Sequence, residues 1–478
     1  MDKAALKKRV FEHFEQICKI PHGSGNMQKI ADYCVDFANK NSLRVIKDGA
    51  NNVIIFKDAA KGYEAAPTVI LQGHLDMVCQ KEENCNIDFE KDGLCVYQED
   101  GFLKARGTTL GADNGIAVSY ILTILESKDI PHPAIEAVFT TDEEIGMVGA
   151  LALDASVLKG KRLINLDSES DDTLTVSCAG GTDLVVDIPV TRTAVNGTLV
   201  DITLSGLRGG HSGVEINAGR QNANILAGRL LNQLQTVADF ELISIDGGDK
   251  SNAITPACSI KLCTAQPEKL CLAANACLNV IKTEIATREP DFEPSVVCGL
   301  NKEYMCIDKA LKEQLIFLLA LAPNGVIEMS ADIEGLVETS LNLGILKTSN
   351  DNISIDFSVR SNKQSAMEAV LQKLKTLSSC VPCSAYTTGF YPPWEYKESS
   401  ALQKLYTECF AEQFGKQPKV EAIHAGLECG VFCSKIKDLE CIAIGPALYD
   451  IHTVNERLDI ASAEQIFELV LKILEKSK

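Results

Sequence analysis

The sequence predicts an α/β protein: a mostly parallel sheet with helices on both faces, interrupted by an inserted α+β domain. Three observations carry this expectation. Short apolar runs alternate with amphipathic helical stretches near both ends of the chain, the pattern of βα units whose sheet is covered on both sides. The middle of the chain switches to longer alternating strands and long helices. At 478 residues, the chain also exceeds one core of ordinary size.

Taken in order, Leu6, Val10, Phe14 and Ile17 fall at helical spacing and predict a first helix over 3–18. Ile20-Pro21-His22-Gly23-Ser24-Gly25 ends it, and a second helix runs from about Met27 to Asn39. Val53–Phe56 and Val69–Leu71 read as strands, the second running out into Gly73-His74-Leu75-Asp76. A polar, hairpin-like stretch from Asp92 to Gly111 leads into Ala112-Asp113-Asn114-Gly115 and an apolar helix, Ile116 to Leu125. The strand-like run from Ile135 ends in Asp142-Glu143-Glu144, before a small-residue helix from Ile145 to Leu153. Arg162–Leu166 is a further strand ending in Asp167. Cys441–Ile444 is the next, followed by His452-Thr453-Val454-Asn455-Glu456.

After Ser177-Cys178-Ala179-Gly180-Gly181 the pattern changes. Strands are expected over Leu184–Val190 and Leu199–Ser205, and helices over Asn217–Leu234 and Glu268–Thr287. The chain returns near Tyr391-Pro392-Pro393-Trp394 to a helix over Ala401–Phe414. The expected boundaries are 1–182 for the first part of the main domain, 183–393 for the insertion and 394–478 for the second part.

Composition narrows the function. A balance of 46 Lys+Arg against 65 Asp+Glu gives a net charge of −19, which disfavours nucleic acid and anionic membrane surfaces as partners. The first residues lack the apolar core of a signal peptide, and no run reaches the ~18 apolar residues of a membrane helix. The 18 cysteines are scattered through strand-like and helix-like runs, and Cys380-Val381-Pro382-Cys383 has no second pair at zinc-site spacing. A reduced, cytoplasmic protein is expected.

His74, Asp113, Glu144, Asp167 and His452 all fall at strand ends or in the adjoining turns, where an open parallel sheet binds its ligands. Each has a plainer use: Asp113 suits a helix cap, and Asp142-Glu143-Glu144 complements a helix dipole. Together on one rim they point to a shared metal site. Three carboxylates and a shared hydroxide would balance two divalent ions, which acidify the water between them. Glu143, beside a ligand yet free of one, is the natural general base.

At this point the sequence resembles the co-catalytic di-zinc metallopeptidases, the family of aminoacylases, carboxypeptidase G-type enzymes and dipeptidases. Its motifs are most similar to those of the bacterial aminoacyl-histidine (Xaa-His) dipeptidases. They are Ile20-Pro-His-Gly-Ser24, Gly73-His-Leu-Asp-Met-Val78, Gly107-Thr-Thr-Leu-Gly-Ala-Asp-Asn-Gly115, Phe139-Thr-Thr-Asp-Glu-Glu-Ile-Gly146 and Asn165-Leu-Asp-Ser-Glu169. Three more follow: Gly209-Gly-His-Ser-Gly213, His424-Ala-Gly-Leu-Glu-Cys-Gly430 and His452-Thr-Val-Asn-Glu456.

The resemblance implies a metal-dependent dipeptidase acting on Xaa-His dipeptides, with an N-acyl amino acid deacylase as the alternative on the same metals. It makes Asp113 the bridging ligand, pairs His74 with Asp167 at one metal and Glu144 with His452 at the other, and has Asp76 tune the site. Glu143 would activate water and protonate the leaving amine. It names the insertion the lid, whose length implies duplication, and gives His211 the oxyanion and Asn252 and Arg360 the substrate. It also implies a cis Asp113–Asn114 peptide. The metals would be two zinc ions, with manganese or cobalt open, and the partner a small peptide; a homodimer is left open. His22 and His424 match motifs but are read as structural.

Overall fold

In the computed structural model of the chain, residues 2–398 and 400–478 are described. They divide into two compact units. One takes the chain up to Cys178 with Tyr396–Ala422 and Leu427–Lys478, and the other takes Ala179–Glu395 and Ile423–Gly426.

The first unit opens with α1 (Lys3–Cys18), whose first amides are capped by the Asp2 carboxylate, and α2 (Gln28–Lys40). Strands β1 (Arg44–Lys47), β2 (Val53–Lys57) and β3 (Val69–His74) follow, then the hairpin of β4 (Val96–Glu99) and β5 (Phe102–Ala105). Helix α3 (Ala112–Glu126), β6 (Ile135–Thr140), α4 (Val148–Ala152), β7 (Arg162–Asn165) and β8 (Thr173–Cys178) complete the first pass. Helix α4 is shorter than the expected 145–153. Gly146 and Met147 sit at φ 114° and 57°, a left-handed entry that no right-handed helix can include. Helix α3 starts at Ala112, before the expected Ile116, and bends in its first turn, where Asp113 and Asn114 leave helical geometry.

The second unit contains β9 (Gly180–Pro189), β10 (Arg192–Leu204), β11 (Gly210–His211), α5 (Ala223–Leu234), β12 (Glu241–Gly247), β13 (Ala253–Ile254) and β14 (Cys258–Thr264). It continues through α6 (Pro267–Ile285), β15 (Ser295–Ile307), α7 (Lys309–Leu321), β16 (Gly325–Met329), β17 (Val337–Thr348), β18 (Asn352–Ser361), α8 (Gln364–Ser378) and β19 (Ser384–Tyr391). Among the described residues these strands form a nine-stranded sheet in the order β15-β10-β14-β12-β17-β18-β9-β19, with β16 on β17. The strands from β15 to β12 and their helices follow a βαββαβ path (β10, α5, β12, β14, α6, β15). Those from β17 to β19 follow the same path (β9, α7, β17, β18, α8, β19), each with the first strand between third and fourth. Their second strands, β12 and β17, meet antiparallel where Gly247 pairs Leu346. One apolar core holds Leu226 and Leu230 of α5, Leu270 and Leu278 of α6, Leu315 of α7 and Met367 of α8 against the sheet.

The chain then adds α9 (Ala401–Phe414), β20 (Lys419–Ile423), α10 (Glu428–Lys435), β21 (Glu440–Ala443), β22 (Leu448–Tyr449), β23 (Arg457–Asp459) and α11 (Ile460–Lys476). The main sheet runs β1-β2-β6-β3-β7-β21-β8-β20, and β22-β23-β5-β4 form a small sheet of their own. Its centre is parallel: His74 pairs Thr140, Gln72 pairs Asn165, and Asn165 pairs Ala443. Strands β1, β2 and β8 flank that centre antiparallel to their neighbours. The carboxyl ends of β3, β6, β7 and β21 therefore share one rim.

Candidate metal centre

His74 is the last residue of β3, Glu144 follows β6 by four residues, and Asp167 follows β7 by two. Asp113 lies in the first turn of α3, and His452 in the loop between β22 and β23, at φ 59°. The structure brings all five together. His74 Nε2 lies 3.1 Å from Asp113 Oδ1 and 3.3 Å from Asp167 Oδ1. His452 Nε2 lies 3.2 Å from Asp113 Oδ2 and 2.9 Å from Glu144 Oε1. Asp113 thus offers one oxygen to each histidine. Within each set, His74–Asp113–Asp167 and Asp113–Glu144–His452, the donor atoms lie within 4.8 Å of one another.

The charges show why this cluster suits cations. Against burial, Asp167, Asp113 and Asp76 raise His74 well above the usual imidazole range, and Asp113 and Glu144 push His452 up to about 10. Burial, with Asp113 and Glu144 nearby, lifts the Asp167 carboxyl to about 7. Three carboxylates crowd two imidazoles, all largely buried except the exposed His452, so positive charge is drawn to the points where their donor atoms converge. Imidazole nitrogen and carboxylate oxygen are donors that zinc, manganese and cobalt all accept. The residues present fit two such ions, sharing Asp113.

Several neighbours hold these donors in place. His74 Nδ1 lies 3.0 Å from the Asp76 carbonyl oxygen and 3.4 Å from its carboxylate, which leaves Nε2 free to face Asp113. The Asp76 carboxylate also accepts the amides of Glu143 (3.0 Å) and Glu144 (3.2 Å) and the Ser24 hydroxyl (2.9 Å). Asn114 accepts the His74 amide at 3.2 Å and donates to the Leu166 carbonyl at 2.9 Å, tying the ends of β3 and β7. Gly73 makes room for it: a Cβ there would stand 2.4 Å from Asn114 Oδ1. The Asp113–Asn114 peptide is cis. Burial, with the carboxylates of Asp167, Glu428 and Glu144, pushes Glu143 well above the usual carboxyl range.

In the second unit, His211 ends β11 and pairs Ala253 of β13, and Asn252 is the turn residue just before β13. His211 Nδ1 accepts the amides of Gly213 (3.1 Å) and Val214 (3.2 Å), so its proton resides on Nε2 in the neutral ring. Burial, with the Arg360 guanidinium nearby, lowers its pKa and favours that neutral form. Asn252 and Arg360 line one cavity of about 490 Å³ with Asp183, Ser251 and Tyr391. Arg360 Nη1 donates to the Tyr391 hydroxyl at 2.8 Å, while its buried Nε has no hydrogen-bond partner. His424 is held by Ser340 Oγ at 2.7 Å and Asn362 Oδ1 at 3.3 Å; burial drives it down to about 3.

Sequence reasoning missed the polar layer beneath the rim. Gln72 lies in the wholly buried β3, accepts from Asn165 Nδ2 at 2.6 Å and donates to Glu428, which also takes the Thr140 hydroxyl at 2.7 Å. A lone Gln in an apolar run was the available signal. Glu456 closes the last motif, four residues after His452, but was given no role.

Residues 70–476 match the family model described as Peptidase family M20/M25/M40. The chain is 35% identical over 471 residues to the cytosol non-specific dipeptidase of Escherichia coli (strain K12), covering 98% of this chain and 97% of that one. It is similar to the crystal structure of aminoacylhistidine dipeptidase from Vibrio alginolyticus, with a TM-score of 0.88 and 34% identity over 98% of this chain and 96% of the other. An aminopeptidase from Bacillus cereus shares the fold at a TM-score of 0.57 and 17% identity, with 98% of each chain covered.

Proposed function

The chain belongs to peptidase family M20/M25/M40, and we propose on that premise that it is a dipeptidase cleaving Xaa-His and related dipeptides. The observation that carries this reading is Asp113, whose two oxygens face two separate histidine–carboxylate groups. His74 and Asp167 would hold one divalent ion and Glu144 and His452 the other, zinc being the first choice and manganese or cobalt the alternatives. Such a pair polarises a scissile carbonyl and acidifies the attacking water.

The chain's own residues supply the rest. Glu143 accepts the water's proton and passes it to the departing amine. Asp76 fixes the His74 ring and, through the amides of Glu143 and Glu144, the base and a ligand together. His211, as the neutral Nε2–H form, donates to the developing oxyanion. Arg360 and Asn252 take the carboxylate end of the peptide, where a planar guanidinium grips two oxygens at once. The second unit then acts as the lid, and its two βαββαβ paths support a duplicated origin. The name of the Escherichia coli relative supports a cytoplasmic location.

The test is a substrate panel of Xaa-His, His-Xaa, other dipeptides and N-acetylated amino acids, run on metal-loaded protein. Dipeptides with free amines should turn over, Xaa-His among the best. Turnover confined to N-acyl substrates would establish a deacylase instead.

A further inference from the structure

Glu456 carries no role in the proposed chemistry, yet it is 3% exposed and charged side chains are rarely buried so deeply without purpose. Its two carboxylate oxygens accept four consecutive backbone amides. Oε2 takes Leu110 at 2.8 Å and Gly111 at 3.1 Å; Oε1 takes Ala112 at 2.9 Å and Asp113 at 3.4 Å. These amides belong to the start of α3. Its N-cap is Gly111, at φ 68°, and makes no side-chain cap. At φ 68° a side chain at Gly111 would be strained, and its Cβ would also press on Met77 Sδ at 2.8 Å, which disfavours a capping residue there. The orphan N–H groups of the helix start need an acceptor, and a residue more than 340 positions away in sequence supplies it.

We propose that Glu456 is the positioning residue of the metal pair. It rests on the two-metal reading above, and adds a physical coupling between its two halves. Glu456 follows His452 by four residues and lies on the same turn, where its own amide donates to the Thr453 carbonyl at 3.2 Å. Asp113, the ligand shared by both ions, is the last of the four amides it holds. One carboxylate thus ties the backbone of the shared ligand to the loop bearing His452. Either ligand moves only if the other's loop moves with it.

The geometry distinguishes this role from space-filling. Glu456→Gln keeps the shape but replaces one acceptor oxygen with an NH₂ group facing two amides. Glu456→Ala removes all four bonds. Two measurements decide, with Zn²⁺ as the probe. Calorimetric titration of metal-free protein should show two ions bound by the wild type, and both variants binding them about 10–100-fold more weakly. Hydrogen exchange on metal-free protein should show the amides of 110–113 protected in the wild type and faster by a similar factor in both variants, with β3 and β6 unchanged. A Gln variant matching the wild type in both measurements overturns the proposal, because shape alone would then suffice. Slow amides in both variants overturn it too. A wild type that binds no ion pair would sink the two-metal reading, while the exchange rates would still judge the clamp.

Discussion

Glu143 and Glu144 are chain neighbours with the same side chain, and their surroundings give them different work. Glu144 points its carboxylate at His452, 2.9 Å away. Glu143 has a donor atom within 4.8 Å of those of His74 and Glu144 but forms no ion pair with either imidazole, and burial among carboxylates keeps its proton affinity high. Glu143→Gln should therefore lower kcat by about 10²–10⁴-fold, the usual worth of a general acid–base, while bound metal stays at two ions per chain. Metal analysis beside single-turnover kinetics checks this, and loss of an ion would make Glu143 a ligand. Of the candidate ligands, His74, Glu144 and Asp167 were legible because each closely follows an apolar run that reads as a buried strand, whereas Asp113 and His452 were drawn in by the glycine-rich turn before α3 and by the last motif. Glu456, Asn114 and Gln72 were not legible. Their partners are backbone amides and buried side chains from distant segments, and no local spacing reveals such pairings.

Among the elements, α1 and α3 show how a helix pair is fastened beside the site. Glu126 at the end of α3 accepts Arg9 Nε at 2.5 Å and Nη2 at 3.1 Å, and lies 3.2 Å from His13 Nε2. Although burial opposes it, His13 and Arg9 hold this carboxyl down to about 2. An unfolded glutamate titrates near ~4.3. The clamp's contribution is therefore complete above that pH and is lost as pH falls toward 2. Denaturant melts of the wild type and Glu126→Gln should differ most above pH 5 and converge below pH 3. A gap that does not change with pH would mean the ion pair contributes nothing. Helices of this amphipathic kind were read to within a residue or two, as at Ala401–Phe414. Helix α5 was expected from Asn217, but Gly219 at φ 72° breaks the chain and the Asn222 side chain caps Asn224 and Ile225, so helix begins at Ala223. The repeated βαββαβ paths were hidden for a different reason. One repeat is inserted after the first strand of the other, so the halves do not follow each other along the chain.

At the scale of the whole molecule, each unit has its own sheet, its own helices and its own core, and the metal donors all belong to the first. Units built this way unfold as separate cooperative blocks. Calorimetry of metal-free protein should resolve two transitions. A ligand that binds only the folded first unit stabilises that unit alone, by about 2.7 kcal/mol per site at a hundred times its Kd. Added Zn²⁺ should raise one transition and a chelator should return it, while the other stays fixed. Leu231→Ala identifies the fixed one. Leu231 is fully buried in the second unit's core, and truncating such a leucine costs about 2–5 kcal/mol, which should lower that transition and leave the metal-sensitive one in place. If both transitions rise together with zinc, the second unit's stability depends on the metal centre as well. The carboxylate cluster would then be organising the entire chain, and a model of two independent cores would fail.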